Sequence, residues 1–70
     1  SGRRLAHETL SRRETEVLLM LSKGTTLTRI GEILHVSVKT VSTYRARIIE
    51  KLGLQSNAEL TRYVVEHRLG

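Results

Sequence analysis

Four times along the chain a Ser or Thr stands just ahead of a stripe of apolar residues spaced three or four apart. A side-chain oxygen at that place accepts from a free amide of the first helical turn, so it marks a helix start. Ser11-Arg12-Arg13-Glu14 has the fuller form of a capping box. In it the Ser11 hydroxyl accepts from the Glu14 amide, while the Glu14 side chain reaches back to the Ser11 amide. Val17, Leu18, Met20 and Leu21 follow with inward spacing, and Lys23 and Gly24 suit a helix end. This predicts a first helix over Arg12 to Lys23. Thr25 or Thr26 caps the second, with Leu27, Ile30, Gly31 and Leu34 on one stripe. Gly31 costs that helix about 1 kcal/mol relative to Ala, so its place on the buried stripe predicts close approach by another helix. Ser37 caps the third, over Val38 to Leu52, with Val41, Tyr44, Ile48 and Leu52 inward and Gly53 as its stop. Ser56-Asn57-Ala58-Glu59 reads as a second capping box, opening a helix over Asn57 to His67. The expected fold class is all-α with four helices.

Seventy residues make one domain at most. A chain of this length buries only about 60% of its unfolded surface, so the core is thin. With no Cys there is neither a disulfide nor a thiolate metal site. His7, His35 and His67 lie far apart and share no helical spacing, so no zinc site is expected. No cofactor is implied either. Without Asp, Cys, a Gly-rich phosphate loop or a nucleophile–base pair, an enzyme is the least favoured class. The longest apolar run, Val17 to Leu21, is far short of a membrane span, and no secretory signal is visible. Arg3 to Thr9 has no steady period. Residues 1–9 are therefore read as linker or cloning residues, with Ser1-Gly2 a cloning scar, and 10–70 as the domain. A further domain is expected upstream.

Two short helices that meet at His35-Val36-Ser37 have the arrangement of a helix-turn-helix. The first would brace and the second would enter the major groove of DNA. On the second helix Ser42, Thr43, Ala46, Arg47 and Glu50 fall within about 80° of Lys39, opposite the apolar stripe. Ser and Thr hydroxyls bond bases or phosphates, Ala46 and the Thr43 methyl suit a thymine methyl, and Arg47 can fork onto guanine or phosphate. Residues 33 to 49 contain no acid, although a merely solvated helix face normally mixes Glu with Lys. Lys39 sits in the first turn, where the helix dipole disfavours a cation, which points to an external anion. Amides near Val38 and Lys39, and those behind Thr25 and Thr26, are ready phosphate donors. Twelve Lys+Arg against seven Glu, a net charge of +5, agree with a polyanionic partner. Two Tyr and no other aromatic argue against a stacking platform for single strands.

The stretch LSRRETEVLLMLSKG, followed by TLTRIGEILHVSVKTVSTYRARIIEKLGLQSNAEL, resembles the LuxR/FixJ (NarL-type) helix-turn-helix family. Leu10, Arg13, Glu14, Glu16, Val17, Leu18, Gly24, Ile30, Gly31, Leu34, Val36, Ser37, Thr40, Val41, Tyr44, Lys51, Leu52 and Gly53 carry the likeness. It covers roughly Leu10 to Leu60, and KTVSTYRAR within it is similar to the virulence-regulator branch (the BvgA and EvgA kind). The resemblance implies a four-helix domain of the LuxR C-terminal type, the output domain of a two-component response regulator in the bacterial cytoplasm. An N-terminal receiver would precede it. By position, base contacts fall on Ser42, Thr43 and Ala46, with Lys39 and Arg47 nearby. Thr40, Lys51 and Tyr44 touch phosphates or pack, and Thr26 joins from the brace helix. Two departures stand out: Ser42 where the family often has Lys, and Arg45 where it often has Val. Arg45 lies at the edge of the buried stripe, from which it can snorkel out as a phosphate clamp.

The last helix has two apolar stripes, one of Leu60, Tyr63 and Val64 and one of Ala58, Val65 and Leu69. One completes the core and the other needs a partner; periodicity does not choose between them. The family uses this helix to dimerise, which puts Leu60, Tyr63, Val64 and His67 forward as a dimer face. Glu14 is read as a cap that can also pair with an Arg or Lys across the fold. Competing readings are a sigma-factor-like region, and a protein–protein module whose basic face docks an acidic partner.

Overall fold

A computed structural model of the chain describes residues 5–69. The cloning-scar reading of Ser1-Gly2 and the arm at Arg3 and Arg4 lie outside the described residues. The helices are α1 (Arg12–Ser22), α2 (Leu27–Leu34), α3 (Val38–Leu52) and α4 (Asn57–Glu66), preceded by a 3-10 turn at Ala6–Thr9. Each starts at a hydroxyl cap. Ser11, Thr26, Ser37 and Ser56 accept from the amides of Glu14, Arg29, Thr40 and Glu59 at 3.1, 3.1, 3.1 and 3.2 Å. Thr26, not Thr25, is thus the second cap. The last box is not reciprocal: Glu59 Oε1 accepts from the Gln55 amide at 2.8 Å, one residue upstream of the cap.

α1 packs against each of the other helices, and the inner face of α3 rests on α1 and α2. Val17, Leu18, Ile30, Val41, Ile48 and Leu60 have no exposed surface, and Leu21, Leu52 and Val64 complete the core. Met20, Leu27, Leu34 and Tyr44 pack around its edge, half-buried. Gly31 is buried, but its neighbour is not another helix as expected. A Cβ there would stand 2.8 Å from the Val36 carbonyl oxygen, so the chain's own turn folds back over it. His35 makes that turn with a left-handed backbone, φ 60°, and the Val36 amide bonds Gly31 O at 2.9 Å.

The segment ahead of α1 is more than a linker. Its 3-10 turn packs against α3, and Ala6 and Leu10 lie against the core. The His7 amide donates to the Tyr63 hydroxyl at 3.1 Å, which ties this turn to α4.

Glu14 is the one buried charged residue among those described. Its Oε1 accepts from the Ser11 amide and from Lys51 Nζ, each at 2.8 Å, and Lys51 Nζ also approaches Thr9 O at 3.4 Å. A single carboxylate thereby joins the start of α1, the end of α3 and the 3-10 turn. The Lys51 hydrogen bond first, and the Ser11 amide second, hold its carboxyl below the usual value against burial that pulls it upward. Lys51, put forward from sequence as touching phosphate or packing, has its ammonium on Glu14, while its side chain stays 38% exposed.

Lys51→Met leaves that carboxylate short of its charged donor and should lower stability by about 1.5–3 kcal/mol, read from the urea midpoint. Because the folded carboxyl holds its proton less tightly than the unfolded one, its contribution is complete above about pH 4.3 and is lost as pH falls through the lowered folded value. Glu14→Gln should flatten this acid limb in melting curves taken from neutral pH down to pH 2.

Candidate nucleic-acid interface

α3 sits with Val41, Ile48 and Leu52 buried, and this fixes what its opposite side presents. Lys39, Ser42, Thr43, Ala46, Arg47 and Glu50 are all exposed. Thr43 Oγ1 donates to Lys39 O at 3.1 Å, one turn back, so its methyl and its two lone pairs are what it offers a ligand. Thr40 is half-buried and shares a 3.0 Å hydroxyl contact with Ser37, an extension of the cap. Tyr44 packs against the core. At the start of α2, Thr26 is exposed. Its oxygen is engaged by the Arg29 amide, and its hydroxyl proton is left to donate.

The ion pairs divide the surface. Arg13 meets Glu16 at 3.5 Å on α1, Arg29 meets Glu32 at 3.3 Å on α2, and Arg62 meets Glu66 at 3.5 Å on α4. Each is an i,i+3 or i,i+4 pair of the kind that neutralises a solvated helix face. On α3 no such pair forms among the described residues: Lys39, Arg45 and Arg47 keep their charge. Arg45 is half-buried, and its Nε donates to Asn57 Oδ1 at 2.9 Å, at the start of α4. Thr26, Ser42, Arg45 and Asn57 border one open cleft of about 510 Å³.

Of the nine residues put forward for DNA, eight lie on α3 and Thr26 opens α2; the fold brings Thr26, Ser42 and Arg45 to one cleft, and Lys51 meets Glu14. Asn57 was not foreseen, because nothing local to Ser56-Asn57 signals a contact twelve residues back in the chain. The fold also brings the His7 and His67 rings to a 5.3 Å centroid separation, with His67 stacked on Tyr63 at 4.0 Å. Sequence spacing could not show that meeting. No group of three or more His, Cys, Asp or Glu among the described residues is placed to hold a metal ion.

The proposed dimer face needs correction. Leu60 is fully buried and Val64 is 4% exposed, so both belong to the core of this chain. Tyr63 is half-buried under the N-terminal turn, its hydroxyl 3.0 Å from His7 Nδ1, and His67 leans on its ring. The other stripe divides: Leu69 folds back toward the core, while Ala58 and Val65 face outward, Val65 at 70% exposure.

An α2–turn–α3 unit braced by α1, with an outer face on α3 that carries no acid before Glu50, is the arrangement that the resemblance leads one to expect. The family model for bacterial regulatory proteins of the luxR family matches residues 8–64. The chain belongs to the luxR family. Response regulator UvrY of Escherichia coli (strain K12) is 42% identical over 60 residues, covering 86% of this chain and 28% of UvrY. Oxygen regulatory protein NreC of Staphylococcus aureus (strain JH9) is 45% identical over 60 residues, again 86% of this chain and 28% of the relative. The chain therefore spans about a quarter of the length of these curated relatives. As a member of this helix-turn-helix family it is a DNA-binding domain of transcription regulation and not an enzyme. No helix among the described residues is long and apolar enough to cross a membrane.

Proposed function

We propose that this chain is the output domain of a two-component response regulator, and that it reads operator DNA as a homodimer with α3 in the major groove. One observation carries the reading. The cations of α1, α2 and α4 named above are paired with glutamates, whereas Lys39, Arg45 and Arg47 of α3 stand without acid partners beside Ser42, Thr43 and Ala46. Unneutralised charge along and beside one helix face suits phosphates, and small hydroxyl and methyl groups on that face suit base edges. Ser42, Thr43, Ala46 and Arg47 are assigned to base edges, and Lys39, Thr40 and Thr26 to the flanking phosphates.

The relatives extend well beyond the matched segment, which supports a receiver domain upstream that governs assembly. The outward Ala58 and Val65 of α4 are assigned to the homodimer contact, replacing the buried stripe. Both Ala58 and Val65 are small, so two copies of α4 can approach closely there. The site of action follows from the partner: the bacterial cytoplasm, where the DNA is.

Selection from a pool of random duplexes at two salt concentrations tests the reading. It should enrich a repeated half-site that is lost at high salt, whereas an acidic-protein docking module would retain no duplex. Thr43→Ala and Arg47→Ala should change which sequences are preferred, by about 1–3 kcal/mol at the affected position. Lys39→Ala should weaken all duplexes alike and flatten the plot of log affinity against log salt by about one unit. Val65→Glu should leave the melting curve within about 0.5 kcal/mol of the parent, as expected of an exposed site. It should also reduce binding at paired half-sites toward that at a single one, read by gel shift.

A further inference from the structure

Arg45 is held differently from the other partnered cations. Arg13, Arg29, Lys51 and Arg62 each meet a glutamate, but Arg45 meets a neutral carboxamide, with Nε donating to Asn57 Oδ1 at 2.9 Å. A carboxylate would orient the guanidinium and cancel its charge. An amide oxygen orients it and leaves the charge whole, with both terminal nitrogens free to fork onto an anion. The side chain borders the open cleft with Thr25, Thr26, Leu27, Ser42 and Asn57, and no acid lines it. The first amides of α2 have no partner within their helix. Hydrogen-bond donors thus come to the cleft from the start of α2, from Ser42 and from Arg45. Ser42 lies on the groove-facing side of α3, and Arg45, one turn further, lies toward the starts of α2 and α4. A group held there flanks the groove and does not lie in it.

We infer that Arg45 and Asn57 form a clamp for one DNA backbone phosphate at the edge of the recognition helix, with Asn57 as a positioning residue acting through Arg45. The clamp rests on the reading of α3 as the major-groove helix. It extends the interface to α4, outside the helix-turn-helix, and it gives the departure at position 45 a role.

The test titrates the 70-residue chain with a duplex of the selected sequence across a range of salt. Wild type is compared with Arg45→Ala, Asn57→Ala, the double variant and Asn57→Asp, each checked by thermal melting. Arg45→Ala should bind about tenfold more weakly and flatten the salt slope by about one unit, as one lost phosphate contact requires. Asn57→Ala should weaken binding severalfold at nearly unchanged slope, since the cation remains, and should add nothing in the Arg45→Ala background. Asn57→Asp should melt no lower than wild type, because an acid suits the first turn of α4, yet it should lose about one unit of slope by neutralising Arg45. Equal losses from Asn57→Ala with and without Arg45, or wild-type DNA binding by Asn57→Asp, would overturn the clamp. So would an unchanged slope in Arg45→Ala beside a steep wild-type slope, and that result leaves the DNA reading standing. Absence of salt-dependent duplex binding by the wild type would remove the DNA reading and the clamp together.

Discussion

A buried carboxylate in a thin core is costly unless its charge is met, and the one at Glu14 is met twice on a single oxygen. The Ser11 amide begins α1 and Lys51 ends α3, so two helices distant in sequence are held at one point. The Thr9 carbonyl at the same ammonium draws in the preceding turn. With no Cys for a disulfide, this charge-assisted contact supplies what apolar burial in a chain of this size cannot: a fixed rotation and height for α3 against α1. The outer face of α3 has a defined direction because its inner face and its C-terminal end are both anchored.

The turn between α2 and α3 sets the remaining freedom. Gly31 leaves room for the Val36 carbonyl to fold over α2, and His35 takes a left-handed backbone to bring it there. That conformation costs a non-glycine residue about 1–2 kcal/mol, a strain the surrounding packing has to hold. What it provides is a tight angle between the bracing and recognition helices. The same turn leaves the amides at the start of α3 and the hydroxyl cap of Ser37 at the surface.

Charge is distributed with equal economy. Glutamates neutralise arginines on the faces of α1, α2 and α4 that meet water, and none is paired with Lys39, Arg45 or Arg47 of α3 among the described residues. Asn57 orients Arg45 without neutralising it. Lys51 looks like part of the same basic set by position, but its ammonium is engaged by the buried Glu14. The distinction is one of direction: a long flexible side chain at the flank of a helix can turn inward or outward, and the nearest buried acid decides which.

Local chemistry was legible along the chain. Ser11, Ser37, Ser56 and the Gly53 stop each act within one turn of their own position, so the bounds of α3 and the starts of α1 and α4 could be read directly, while Thr25 and Thr26 both remained open as the cap of α2. The outer face of α3, free of acid up to Glu50, was equally visible, since helical spacing alone brings Lys39, Ser42, Thr43, Ala46 and Arg47 together. What lay beyond reach depended on partners far away in sequence. Periodicity showed two apolar stripes on α4 but not that α1 would cover Leu60 and Val64 and leave Val65 to solvent. A pairing of Glu14 with some Arg or Lys across the fold could be expected, but not that Lys51 would be the partner. Asn57 carried no signal at all until the fold brought the start of α4 within reach of Arg45. The sequence by itself determined which residues form helices and which face of α3 is polar, because hydrogen bonds and spacing within a turn settle both. Only the tertiary structure decided which side chains are free to meet a partner, because that depends on which neighbours reach them first.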